Sequence, residues 1–171
     1  DWGVSRGLGD VYKRQNTCCV AITGSSGKTS LKELLGQCLK KKYSTVFSKN
    51  SYNNKFGLPI SLSNLDKNTN YGIFEIGMDK KGEIDYLSKI IKPEIGVITN
   101  ISYAHAKNFN SLIDIAKAKS EIINNIKLNG TIVLNRDDKF FNFFYKLAIK
   151  KKLKVVSFGN HKDSNVRICI L

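Results

Sequence analysis

The feature that most constrains this chain is the stretch CVAITGSSGKTSLKELL, residues 19–35. An apolar run ends at a loop bounded by Gly24 and Gly27, and a helix-forming segment starts at Lys28. A strand passing through such a loop into a helix gathers backbone N–H groups at one point, where they can surround phosphate oxygens. In that role Lys28 places a charge on the β/γ-phosphates and the Thr29 hydroxyl becomes a ligand for Mg²⁺. The common pattern is G-x-x-x-x-G-K-(S/T). Here only Ser25 and Ser26 separate the glycines, and Ile22 stands where the first glycine belongs. The plain alternative is a structural glycine turn with a lysine beside it.

The rest of the chain supplies the setting that the loop needs. Short apolar runs at 18–23, 43–47, 71–76, 95–99, 130–135 and 153–158 read as strands. Between them, 28–41, about 58–65, 82–92, 111–127 and 138–151 read as helices. The runs at 71–76 and 95–99 have few polar interruptions, as strands buried on both faces do. Alternation of this kind predicts an α/β fold with a mainly parallel sheet flanked by helices. In such sheets ligands sit beyond the carboxyl ends of the strands.

Composition narrows the class. With 171 residues, 42% hydrophobic and 25% charged, the chain is long enough for one domain with a substantial core. No apolar run approaches the roughly 18 residues that span a membrane, and no signal peptide is evident, so a cytoplasmic protein without membrane contact is expected. The first fifteen residues hold the only tryptophan and two of the four arginines, and lack periodicity. They are expected to be a non-native or disordered leader, with residues 16–171 forming the domain. A native disordered arm is the alternative.

A formal charge of +14 raises the question of nucleic acid. The lysines are scattered, however, and the densest run, KLAIKKKLK (146–154), suits a helix end with a solvated face. A nucleic-acid-binding module stays open as a reading, and no nucleic-acid partner is expected. Cysteines at 18, 19, 38 and 169 show no C-x-x-C spacing. They are expected to be reduced, buried and structural.

Chemistry-bearing residues recur where the strands end. Glu75 is a lone acid closing an apolar run, and a buried carboxylate is costly unless it faces a cation. Mg²⁺ is the natural partner, and an ion pair with a lysine is the alternative. His105 sits on the loop after the fourth strand; a lone histidine is as often structural. Lys117 and Lys119 are two apart on a helix, so only one of them can point to the ligand edge. Asn135 and Asp138 suit hydrogen bonds to a base or ribose, or equally a helix cap.

Five blocks in order, TGSSGKTSLKE, SYNNKFGLP, EIGMDKKGEI, AHAKNFNSL followed by AKAKSEI, and LNRDD, resemble the Mur ligases. These are the ATP-dependent amide-forming enzymes of peptidoglycan precursor synthesis. The likeness covers about residues 18–159, the central domain of that family, whose phosphate loop is also short. Within the family it is nearest the branch that adds D-Ala-D-Ala to UDP-MurNAc-tripeptide. Another Mur-type ligase or a folylpolyglutamate synthase-like enzyme is the alternative.

The resemblance implies a P-loop NTPase-like domain that stops before its smaller sheet is complete, with VRICIL (166–171) as that sheet's first strand. It implies ATP phosphates on Gly24, Ser25, Ser26, Gly27, Lys28, Thr29 and Ser30. A first Mg²⁺ falls to Thr29 and Glu75. A second falls to His105 and to Lys119, if that lysine carries a CO₂-derived carbamate. Asn53 and Asn54 would lie near the phosphates and the acyl group, and Asn135 with Asp138 near adenine and ribose. Lys28, His105 and Lys119 would be the catalytic set. The reaction so implied moves the γ-phosphoryl group to the tripeptide carboxylate, after which the dipeptide amine attacks the acyl phosphate. ATP, UDP-MurNAc-tripeptide and D-Ala-D-Ala are the implied partners, the last two mainly through further domains, on a monomer. The 171-residue chain alone is expected to bind nucleotide weakly and not to complete ligation. Two departures stand out: Lys107 replaces a residue frequently acidic in the family, and Asp79 stands where Asn is common.

Overall fold

A computed structural model describes residues 16–48, 53–103 and 108–167; residues 1–15, His105, Lys107 and Cys169 lie outside them. In chain order the elements are β1 (Cys18–Thr23), α1 (Lys28–Lys40), β2 (Thr45–Phe47), α2 (Gly57–Ser63), β3 (Tyr71–Glu75) and α3 (Glu83–Ile91). They continue as β4 (Ile95–Ile98), α4 (Leu112–Asn125), β5 (Thr131–Asn135), α5 (Phe141–Lys150) and β6 (Lys154–Phe158). Every strand pair is parallel, and the order across the sheet is β2-β3-β1-β4-β5-β6. The expected α/β architecture is therefore present. Because β1 lies between β3 and β4, the loops leaving these three strands open onto one place.

The period of two along β1 explains its unbroken apolar run. Cys19 and Ala21 belong to the larger core, which is completed by α2, α3, α4 and α5. Val20 and Ile22 face the opposite side, where Ile73 and Val97 meet Leu31, Leu35 and Leu39 of α1. Both faces of the strand are covered, so neither tolerates polar alternation.

Element ends follow local chemistry rather than hydrophobic pattern. The helix predicted over 82–92 is confined to Glu83–Ile91, because Gly82 (φ 89°) and Lys92 (φ 50°) are left-handed. The one predicted from 111 starts at Leu112, since Ser111 is its N-cap and its side chain accepts from Asp114 N. The helix predicted from 138 begins at Phe141, after a turn in which Asp138 accepts from Phe140 N. Tyr43 falls outside β2 and packs edge-on against Tyr71 at 5.2 Å. The lysines of the 146–154 run are exposed, as a solvated face requires.

One expectation about cysteine is corrected. Cys38 is exposed and Cys18 half-buried, while Cys19 is buried; all three are free thiols. Cys38 escapes burial because α1 covers the sheet with a single stripe, and residue 38 lies off it. At the far end Val166 makes an isolated parallel bridge to Phe158 of β6, while residues 168–171 lie outside the described set. No described helix is long and apolar enough to cross a membrane.

Candidate functional site

The glycine loop occupies the turn between β1 and α1. Gly24 has φ 146°, and a Cβ there would stand 1.8 Å from Thr99 Oγ1, so both conformation and space exclude a side chain. Gly27, with φ 78°, turns the chain into α1 and leaves that helix without a side-chain cap. Among the described residues, the N–H groups of Lys28, Thr29 and Ser30 meet no acceptor. A 13-residue helix thus presents unsatisfied donors, the positive end of its dipole and the half-buried Lys28 at one point.

That point opens into a cleft of about 980 Å³ whose lining includes Gly24, Ser25, Lys28, Thr29, Asn53, Asn54, Glu75 and Lys119. Glu75, at the end of β3, is 2% exposed. Its Oε2 accepts from Thr29 Oγ1 at 2.8 Å and its Oε1 from Asn53 Nδ2 at 2.9 Å. Asn53 is held in turn by its own carbonyl, which accepts from Gly77 N at 2.9 Å. Both donors to Glu75 are neutral, so the anticipated alternative of a lysine ion pair is not what this carboxylate makes among the described residues. A buried carboxylate beside a hydroxyl is a hard oxygen donor set, which fits Mg²⁺. Among the described residues no group of three or more His, Cys, Asp or Glu is arranged to hold a metal. An ion there needs phosphate oxygens and water to complete its shell, as Mg²⁺ commonly does.

Lys119 is the lysine of its pair that points inward. It is 5% exposed, Lys117 is exposed, and Lys119 Nζ donates to Gly24 O at 3.0 Å. Burial first, and the charge of Lys28 second, lower its pKa from the usual 10.5 to about 7. Between those two values the unfolded chain holds a proton that the folded chain has given up, so stability rises with pH across that window. Lys119→Met, an apolar side chain of similar length, is expected to be more stable than the parent at pH 7. It should also lack the parent's gain of about 2 kcal/mol between pH 7 and pH 9. Urea midpoints of both chains at the two pH values measure this; parallel curves would contradict it.

Other anticipated site residues are distributed differently. Ser26 faces Asn100 rather than the cleft, with Ser26 N donating to Asn100 Oδ1 at 3.0 Å. Asn54 lines the cleft, but its Oδ1 accepts from Phe56 N and Gly57 N, both at 3.0 Å, and so starts α2. Asn135 and Asp138 line a separate, shallower cleft of about 460 Å³ with Ile101 and Tyr103. Asp138 has both oxygens engaged, by Ile101 N and Phe140 N, each at 2.8 Å. His105 lies outside the described residues.

Three side chains that shape the site went unread in the sequence. Lys32, one turn beyond Lys28, has no exposed surface, and its Nζ donates to Ser48 O at 2.6 Å and pairs with Glu33 at 3.0 Å. Glu83 accepts from Asp79 N and Lys80 N, closing the turn that walls the cleft. Glu121, two residues beyond Lys119, accepts from Gly82 N and Asp85 N and so caps α3. No local pattern marks Glu121, yet one helix fastens the phosphate loop through Lys119 and the opposite wall through Glu121.

Comparison with known proteins agrees with this geometry. Residues 22–169 match the Mur ligase middle domain. A UDP-N-acetylmuramoyl-tripeptide–D-alanyl-D-alanine ligase of Buchnera aphidicola is 39% identical, across 95% of this chain and 37% of its own length. A crystal structure of MurF from Acinetobacter baumannii superposes with TM-score 0.83 at 36% identity, over 94% of this chain and 35% of that one. The MurF ligase of Thermotoga maritima in complex with ADP gives 0.78 at 31%, over 91% and 36%. The chain thus spans about a third of the length of the relatives it matches.

Proposed function

This chain belongs to the Mur ligase family through its middle domain, and on that premise we propose that it handles ATP in a ligase joining D-Ala-D-Ala to UDP-MurNAc-tripeptide. The observation that carries the proposal is the buried Glu75 carboxylate, held by Thr29 and Asn53 in the same cleft as Lys28. A phosphate loop, a hard-oxygen pair and a lysine converge there, which is the equipment phosphoryl transfer requires. The names of the relatives supply the substrate class.

In this reading the N–H groups of Gly27 to Ser30 and the Lys28 ammonium bind the β- and γ-phosphates. Thr29 and Glu75 would hold Mg²⁺, which when bound neutralises charge on the phosphoryl group. The tripeptide carboxylate attacks the γ-phosphorus, the bond to the β-phosphate oxygen breaks, and ADP leaves. The dipeptide amine then adds to the acyl carbon, loses its proton, and phosphate departs as the amide forms. Most of the chain's contribution is positioning and charge compensation.

Lys119 is assigned the second metal position together with His105. Its lowered pKa supports this, since the free amine is the form that adds to CO₂ to give a carbamate. Asn135 and the second cleft are assigned to the base and ribose.

A chimaera tests the ATP-handling assignment. A UDP-N-acetylmuramoyl-tripeptide–D-alanyl-D-alanine ligase of Escherichia coli, carrying residues 16–167 in place of its own matching segment, should turn ATP over to ADP repeatedly only when both UDP-MurNAc-tripeptide and D-Ala-D-Ala are present. ADP release that requires neither would contradict the ligase reading.

A further inference from the structure

We propose that Asn100 is the positioning residue of the phosphate loop, replacing with one side chain and one carbonyl the residues that the loop lacks. The proposal rests on the nucleotide reading above and deepens it. The two residues between the glycines do not offer their amides to the cleft. Ser25 N donates to Asn100 O at 2.9 Å, and Ser26 N donates to Asn100 Oδ1 at 3.0 Å. In return Asn100 Nδ2 donates to Ser26 Oγ at 2.7 Å.

The neighbours of Asn100 strengthen this grip. Thr99 Oγ1 donates to Ser26 O at 2.6 Å. Ser25 Oγ donates to Ser102 O and accepts from Ser102 N, both at 2.9 Å. Both amides and both hydroxyls of the loop's centre are therefore committed to residues 99–102. A four-residue centre can wrap its N–H groups around a phosphate. A two-residue centre braced in this way takes its shape from the segment after β4, before any ligand arrives. Phosphate is left with the donors of Gly27 to Ser30.

The same segment is held from its other side, where Ile101 N donates to Asp138 Oδ2 at 2.8 Å. Residues 100–102 thus bridge the phosphate loop and the turn carrying Asp138, just past Asn135 at the end of β5, and fix the spacing between the two clefts. Asn100 reaches no phosphate in this arrangement. It acts through Ser25 and Ser26.

The test uses the full chain, isotope-labelled, with Mg-ADP as the probe. Without ligand, Asn100→Ala should raise amide hydrogen exchange at Ser26 at least about tenfold, leaving unchanged the amides of β3 and that of Ser25, whose acceptor is the backbone carbonyl of residue 100. Asn100→Asp keeps an acceptor for Ser26 N and should restore its protection. On adding Mg-ADP to the parent chain, the amide signals of Gly27 to Ser30 should move while those of Ser25 and Ser26 hold their positions. Asn100→Ala should weaken Mg-ADP binding about tenfold. Unchanged exchange at Ser26 in Asn100→Ala would overturn the proposal. So would release of the Ser25 and Ser26 amides to the nucleotide in the parent chain. If Mg-ADP moved no loop amide at all, the nucleotide reading would fall, and the ligand-free exchange would still decide the role of Asn100.

Discussion

Lys28→Ala is expected to weaken binding of Mg-ADP and Mg-ATP about tenfold to a hundredfold, the range of a lost charge-assisted hydrogen bond. The fold should survive, because Lys28 is only half-buried and α1 is anchored by Leu31, Leu35 and Leu39 on the sheet. A second readout comes from Lys119, whose pKa is lowered partly by the charge of Lys28. Removing that charge should let the Lys119 pKa rise. Calorimetric titration of nucleotide, with a lysine-selective NMR titration beside it, reads both effects. Unchanged nucleotide affinity in a folded variant would remove Lys28 from the site.

Glu75→Gln separates metal binding from folding. In the parent chain Mg²⁺ should strengthen nucleotide binding by about tenfold or more, since a buried carboxylate supplies a ligand that water and phosphate alone do not. In Glu75→Gln the affinities with Mg²⁺ and with a chelator should agree within about threefold. Stability should move the other way. Glu75 is 2% exposed and its two donors, Thr29 and Asn53, are neutral, so exchanging the charge for an amide should stabilise the metal-free chain by about 1 kcal/mol. A variant that binds more weakly and melts higher would tie Glu75 to the ion. Equal loss of stability and of binding would make it structural.

Much of the fold was legible because the parallel strands are buried on both faces. The runs at β1, β3 and β4 therefore announce themselves without alternation, and the spacing of helices between them implies parallel pairing. The ends were less legible, since Gly82, Lys92 and Ser111 act through φ values and single hydrogen bonds that no hydrophobic pattern records. Exposure of Cys38 shows the converse limit: residue type favours burial, but the width of the stripe on α1 decides it.

The site divides in the same way. Lys28, Thr29, Glu75 and Lys119 were readable from motif spacing and from polar residues at strand ends, and the structure gathers them around one cleft. Asn100, Lys32 and Glu121 were not, because each acts on a distant segment. The contact of Asn100 with Ser26 joins residues 74 apart in sequence, and that of Glu121 with Gly82 joins residues 39 apart. Only the stacking of β1 against β4 brings the first pair within reach. The question posed by the short loop was likewise answered outside it, in the residues that follow β4.

The most direct measurement of the central claim is calorimetric titration of ADP into the chain, once with Mg²⁺ and once with chelator. Saturable binding at one site is expected, stronger with Mg²⁺, with loss of that difference in Glu75→Gln. No binding under either condition, or equal affinities in the parent chain with and without Mg²⁺, would contradict it.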